Sequence, residues 1–254
     1  MTEITAPNPY AAPASNLQNV AEASSVPTIE EALSRRYDFS IGDLLSEAWN
    51  RTKGTKGLII GGFVVFYAAM FAATLVLNLV FGLFGALVGG GVGFMIVSTI
   101  VSMLATVLAY PFLAGINMIG IRQAADQPLQ FSEIFSHFDR TIPVVVTALL
   151  MSALSLIGYL LFVIPGIYLS IAYLLAIPLV VERGLSPWQA MEASRKAISQ
   201  HWFKVFGLFL LLGILLSLSA IPLGIGLVWT LPMMIVAIGV LYRTIFGVRP
   251  VPSN

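Results

Sequence analysis

Few residues in this chain could do chemistry. It contains no cysteine, which excludes thiolate catalysis, disulfides and zinc–thiolate sites. The two histidines, His137 and His201, stand far apart in the sequence. Each lacks the further ligands that a metal site requires, and both are expected as interfacial polar side chains. The long stretches Gly57–Ile121, Thr141–Val181 and Val205–Tyr242 hold no Asp, Glu, Lys, Arg or His. An ionisable side chain inside such a stretch would be a functional candidate by default, so a proton relay or an ion-coupled pathway has no candidate residues. The amides Asn78 and Asn117 read as helix–helix or headgroup hydrogen bonds near the ends of apolar segments. No P-loop, dinucleotide fingerprint or nucleophile elbow occurs. No catalytic, cofactor-binding or metal-binding residue is expected.

Two sets of residues remain. Pro111, Pro178 and Pro232 fall inside apolar segments, where a missing N–H kinks a helix and can free carbonyls. With the Pro165-Gly166 turn they are candidate structural hinges: packing kinks on one reading, the lining of a pathway on another. Arg183, Arg195, Lys196 and Lys204, with Arg51, Lys53 and Lys56, would form a basic rim. Such a rim signals topology, and the first four are also candidate contacts for anionic headgroups, at about 1 kcal/mol each near a membrane surface.

The elements that must position these residues follow from composition. The chain is 58% hydrophobic and 10% charged, against about 25% charged for a soluble domain. This predicts an all-α integral membrane protein. A net charge of +1 offers no case for nucleic-acid binding. Residues 1–30 are rich in Ala, Pro, Ser and Asn and predict a disordered tail, Asn8-Pro9-Tyr10 being its one short docking candidate. The polytopic domain then covers 31–254. Each long uncharged stretch suits two spans of about 20 residues. Glycine and proline divide them at 82–93, Pro165-Gly166 and 222–226, giving spans of about 58–81, 94–120, 142–163, 167–181, 205–221 and 225–242.

Charge placement tests that division. With six spans and a cytoplasmic N-terminus, the outer connections carry no charge and all 13 Lys and Arg fall on the inner side, as the positive-inside rule requires. Trp49, Trp188 and Trp202 would sit at the inner interface and Trp229 near the outer one. Both termini are expected in the cytoplasm.

A threefold repeat organises the whole. Phe39-Ser40, Phe131-Ser132 and Leu185-Ser186 each open a short amphipathic segment that leads into a hairpin. The third is the most readable. Ser186 suits an N-cap, Pro187 the first helical position and Gln189 a capping-box partner. Trp188, Met191, Ile198 and Trp202 form its expected membrane-facing side, with Gln189, Glu192, Lys196 and Gln200 opposite.

Pro165-Gly166-Ile167 and Pro178-Leu179-Val180-Val181, followed by Gly184, Ala190, Ser194 and Trp202, give the chain a resemblance to the YciC-like bacterial inner-membrane proteins. It is also similar to the membrane domain attached to some glycerophosphodiester phosphodiesterases, without their catalytic domain. The resemblance is best over about 160–215. It implies a multi-span helical protein of the bacterial inner membrane without hydrolase activity. The expectation is therefore six transmembrane helices in three hairpins, each preceded by a cytoplasmic amphipathic helix. The protein would be a non-enzymatic scaffold or lipid-associated envelope protein acting through membrane lipids and a protein partner. The alternative is a channel or transporter for a neutral or amphipathic solute.

Overall fold

A computed structural model describes residues 26–250, without the side chains of Leu83, Ala86, Val88, Met103, Thr106, Val107 and Leu108. Most of the expected tail, Asn8-Pro9-Tyr10 included, and Asn254 lie outside the described residues. Residues 26–30 do not belong to a disordered segment. Thr28 caps a short helix, α1 (Ile29–Ser34), through a capping box with Glu31.

The rest is helical, and no strand occurs among the described residues. In order come α2 (Ile41–Arg51), α3 (Lys56–Leu77) with a π-helical extension over Asn78–Gly82, and α4 (Leu83–Ala124). Two 3₁₀ turns follow, Phe131–Phe135 and Phe138–Arg140. Then come α5 (Thr141–Leu161), α6 (Val163–Ala172), α7 (Ala176–Arg183), α8 (Pro187–Ser199), α9 (Trp202–Ala220) and α10 (Leu227–Phe246). Five segments are long and apolar enough to cross a membrane: Lys56–Gly82, Phe131–Leu161, Val163–Arg183, Trp202–Ala220 and Leu227–Phe246. The length and composition of these helices are compatible with a multi-pass membrane protein.

Several expected boundaries move, each for a local reason. The stretch 82–93 is not an open loop. Helix continues through it except at Gly90, whose φ of 59° and ψ of −147° lie where only glycine sits without strain. The chain folds back there, and Gly85 and Gly93 meet so closely that a Cβ on Gly85 would stand 2.9 Å from the Gly93 carbonyl. Gly85 thus packs against Gly93, while Gly89 faces open space.

Pro165-Gly166 is not the turn of the second hairpin. Phe162, extended at φ −158° and ψ 147°, makes that reversal. Pro165 falls in the first turn of α6, where its missing N–H costs nothing. A Cβ on Gly158 would stand 3.0 Å from the Gly166 Cα, so these two glycines let α5 and α6 approach. The segment expected as one span over 167–181 is broken at Tyr173–Leu175, just ahead of Pro178, whose ring opposes the carbonyl four residues earlier.

The second amphipathic segment is two 3₁₀ turns rather than an α-helix. Glu133 and Ile134 are buried, sunk into a groove that small residues leave open. A Cβ on Gly115 would stand 2.6 Å from the Ile134 Cα, and one on Gly62 would stand 2.8 Å from the Ile116 side chain. Phe112 meets Phe135 and Phe138 edge-on at 5.9 and 5.0 Å.

The centre is formed where α4 crosses α10. A Cβ on Gly120 would stand 2.5 Å from the Ile235 carbonyl oxygen, and one on Gly239 would stand 2.8 Å from the Ile121 nitrogen. Backbone rests on backbone, so neither position has room for a side chain. Ile116, Ile119, Ile121, Val236, Ala237 and Leu241 fill the surroundings. Gly239→Ala should therefore destabilise the protein by about 1–3 kcal/mol, the range for overpacking. Gly213→Ala on α9, where nothing lies within 4 Å, should leave thermal unfolding in detergent unchanged. Equal melting temperatures for the two variants would show that the crossing is looser than described.

Candidate functional site

The polar residues of the described chain gather where α2, α4, α7 and α10 end. The last carbonyls of a helix have no partner within it, and here side chains from other segments supply donors. Arg243 donates to the Ala124 carbonyl at the end of α4, and Arg51 donates to the Gln123 carbonyl at 3.2 Å. At the end of α10, Arg183 donates to the Phe246 carbonyl. Arg35 donates to the carbonyls of Ile245 at 2.9 Å and Thr244 at 3.3 Å. Tyr37 donates to the Ala197 carbonyl of α8 at 3.1 Å, and Gln200 to the Leu33 carbonyl of α1 at 2.8 Å. Cations at helix C-termini also oppose the negative end of the macrodipole.

Carboxylates position these cations. Glu47 lies 2.6 Å from the Arg51 Nε and 2.9 Å from Arg243, and Arg51 reaches Asp126 at 2.6 Å. Partial burial pushes the Glu47 carboxyl up, but hydrogen bonds from Arg51 and Arg243 outweigh it and hold the carboxyl below its ordinary range. The Asp126 carboxyl is lowered by its bond from Arg51. Burial pushes the Tyr37 hydroxyl up, with the neighbouring Asp38 charge acting in the same direction.

A second cluster is deeper. Glu182 and Arg183 are both nearly buried, with the Arg183 Nε 2.6 Å from Glu182 as an ion pair rather than an aligned hydrogen bond. Glu182 also accepts from the Tyr242 hydroxyl at 2.6 Å and the Arg249 N–H at 2.8 Å. Beside it, Glu133 bridges Arg122 and the His137 Nε2, both at 2.9 Å. A recess of about 260 Å³ between the two carboxylate clusters is lined by Arg122, Gln127, His137, Glu182 and Arg249 among apolar residues. His137 is thus partnered and not merely interfacial. Its signal was the four-residue spacing from Glu133, which puts both on one side of a turn. His201 stacks edge-on against Tyr37 at 5.1 Å instead. Among the described residues no group of three or more His, Cys, Asp or Glu could hold a metal.

The expected headgroup contacts are placed differently from a free rim. Arg183, 9% exposed, is turned inward to the Phe246 and Pro27 carbonyls and cannot face lipid. Arg195 and Lys196 pair with Glu192 at 2.8 and 3.5 Å, and Lys204 pairs with Asp38 at 2.5 Å. Trp229 is also corrected. It does not stand apart from the basic residues: the Lys56 ammonium lies over its ring, 5.3 Å from the centroid.

Helix α8 carries the residue that sequence patterning missed. Its capping box forms as expected between Ser186 and Gln189. The buried side, however, is Ala190, Met191, Ala193, Ser194, Ala197 and Ile198, and Trp188, 63% exposed, is off it. This side faces protein, against α5, α6 and α7. Ser194 is fully buried and reaches into the break between α6 and α7. Its Oγ donates to the Ala172 carbonyl at 2.7 Å and accepts the Leu175 N–H at 3.1 Å. A serine amid polar neighbours gives no sign of this role, because its two partners lie about twenty residues upstream.

No protein-family model matches the chain, and no curated protein and no solved structure matches it.

Two outcomes test the site. Ser194→Ala leaves a carbonyl and an N–H unpaired in the interior and should cost about 1–3 kcal/mol, whereas exposed Ser136→Ala, facing solvent, should cost under about 0.5 kcal/mol; chemical denaturation in mild detergent compares them. Because the folded Glu47 carboxyl is depressed below 4.5, its contribution is complete above that pH and is lost as pH falls through the folded value. Melting temperature should therefore drop on acidification below about pH 4.5, and Glu47→Gln should flatten that drop.

Proposed function

We propose that this chain is a non-enzymatic integral membrane scaffold, associated with lipids and acting through partners, in a bacterial inner membrane. The observation that carries the reading is the closed centre. At the α4–α10 crossing, Gly120 and Gly239 leave no space even for a methyl group. A transport pathway would need the proline kinks to frame an opening. Pro111, Pro178 and Pro232 are instead buried, and the first and last lie on two helices in direct contact one to three turns away. They behave as packing kinks. Membership of the YciC-like group is part of the same proposal.

The topology proposed with it has six spans in three hairpins with the N-terminus in the cytoplasm. Helices α9 and α10, with 19 and 20 residues, rise about 28–30 Å at 1.5 Å per residue, the thickness of a hydrocarbon core. A single cysteine at Gly89, exposed and with nothing within 4 Å, should react with an impermeant thiol reagent from outside intact cells, and one at Gln127 should not. Labelling at Gln127, or protection at Gly89, would refute the six-span arrangement.

The scaffold reading is tested by flux. Purified protein in liposomes should give no saturable flux of small neutral solutes, and Pro111→Ala should lower abundance by removing a packed kink, whose helix-interior effect runs to about 3 kcal/mol. A saturable flux in the wild type that changes in Pro111→Ala would replace the scaffold by a transporter.

A further inference from the structure

The loop between α2 and α3 brings two tryptophans and two lysines together at the surface. Trp49, Thr52, Lys53, Lys56 and Trp229 line a slot of about 70 Å³. Both tryptophans are exposed, at 47% and 40%, on a surface where α2 and α3 meet the start of α10. The Lys56 ammonium rests on the face of Trp229. Lys53 is exposed beside it, and among the described residues neither lysine has a carboxylate within ion-pair reach.

That last point separates this corner from most of the basic end. Arg51, Arg195, Lys196, Lys204 and Arg243 each have a carboxylate partner, and Arg35, Arg36 and Arg249, which have none among the described residues, lie away from the two tryptophans. Thr52 is already committed, its hydroxyl donating to the Ala48 carbonyl at 2.6 Å. Two positive charges are left uncompensated between two indole rings. From Gly57 onward the chain is uncharged as far as Ile121, so the slot stands at the boundary between the polar end and an apolar span. Tryptophan favours that boundary because its ring is apolar and its N–H is polar. Lysines there attract anionic headgroups.

The geometry points to this slot as the place where the protein holds the headgroup of an anionic phospholipid. The phosphate lies between Lys53 and Lys56, and Trp49 and Trp229 bracket the glycerol region with the acyl chains along α3. The inference rests on the lipid-associated reading above and replaces the rim of Arg183, Arg195, Lys196 and Lys204 with a specific corner. A polybasic surface attracts lipid through its summed charge, whereas here two particular lysines dominate.

The test uses the full chain in vesicles, with Trp188 and Trp202 changed to Phe so that only Trp49 and Trp229 emit. Brominated phosphatidylglycerol and brominated phosphatidylcholine are titrated as quenchers in otherwise identical bilayers. Stronger quenching by the anionic lipid is expected, and the preference should fall about fivefold for each lysine removed in Lys53→Gln and Lys56→Gln. Lys196→Gln should retain it. Lys53→Arg with Lys56→Arg should also retain it, which separates loss of charge from loss of fold. Equal quenching by the two lipids in the wild type, or equal loss in Lys196→Gln, would overturn the assignment. Solute flux measured in the same vesicles reports on the scaffold reading independently.

Discussion

The constraint on which this structure depends is that a helix ending near a membrane still owes its last carbonyls a donor. Water supplies one at an ordinary protein surface, but where helix ends are packed together, each unsatisfied group costs several kcal/mol. Here the donors are side chains from remote segments. Arg243 closes α4, Arg183 and Arg35 close α10, and Tyr37 closes α8. Because each donor lies outside the helix it closes, the same bonds that satisfy the backbone also tie separate segments of the chain together. The carboxylates of Glu47 and Glu182 then hold the arginines in place. A buried ion pair by itself is weak support for stability. Its value here is directional, since it aims the Arg183 and Arg243 guanidiniums at the carbonyls they close.

That arrangement explains why basic residues fall on one side without acting as a free electrostatic surface. In sequence they satisfy the positive-inside pattern, and topology signalling would account for all of them. In space most are neutralised, and the distribution of remaining charge is uneven. The break at Tyr173–Leu175 obeys the same economy of hydrogen bonds. Pro178 interrupts the helix, and Ser194 supplies an acceptor and a donor where the interruption leaves one group of each kind.

What was legible in the sequence is what depends on composition and on local spacing. Apolar helices long enough to cross a membrane, the capping box of Ser186 with Gln189 and the amphipathic helix opening at Ser40 are found as read, because each is decided within four residues or by hydrophobicity alone. Residues whose role is set by a distant partner were not legible. Nothing near Arg183 distinguishes a headgroup contact from a helix closure, since the deciding carbonyl at Phe246 is 63 residues away. Trp229 suits either interface by type, and only the packing of α10 beside α2 brings it to Lys56. The turn at Phe162 was misplaced because Pro165-Gly166 is a strong local turn signal, which the first turn of α6 accommodates equally well. Glu133 and His137 were within reach of sequence reasoning. Their four-residue spacing marks a pair even where, as here, the segment winds as 3₁₀.

The contacts of Arg35 and Arg183 with the end of α10 have a consequence for biogenesis. Arg35 is made first, Arg183 later, and the carbonyls of Thr244, Ile245 and Phe246 only after both. During synthesis the two guanidiniums have no acceptor at that site, whatever the order in which the apolar helices enter the bilayer. The end of α10 can therefore be closed only once the segment around residue 246 has been made, so this contact is among the last of the fold to form.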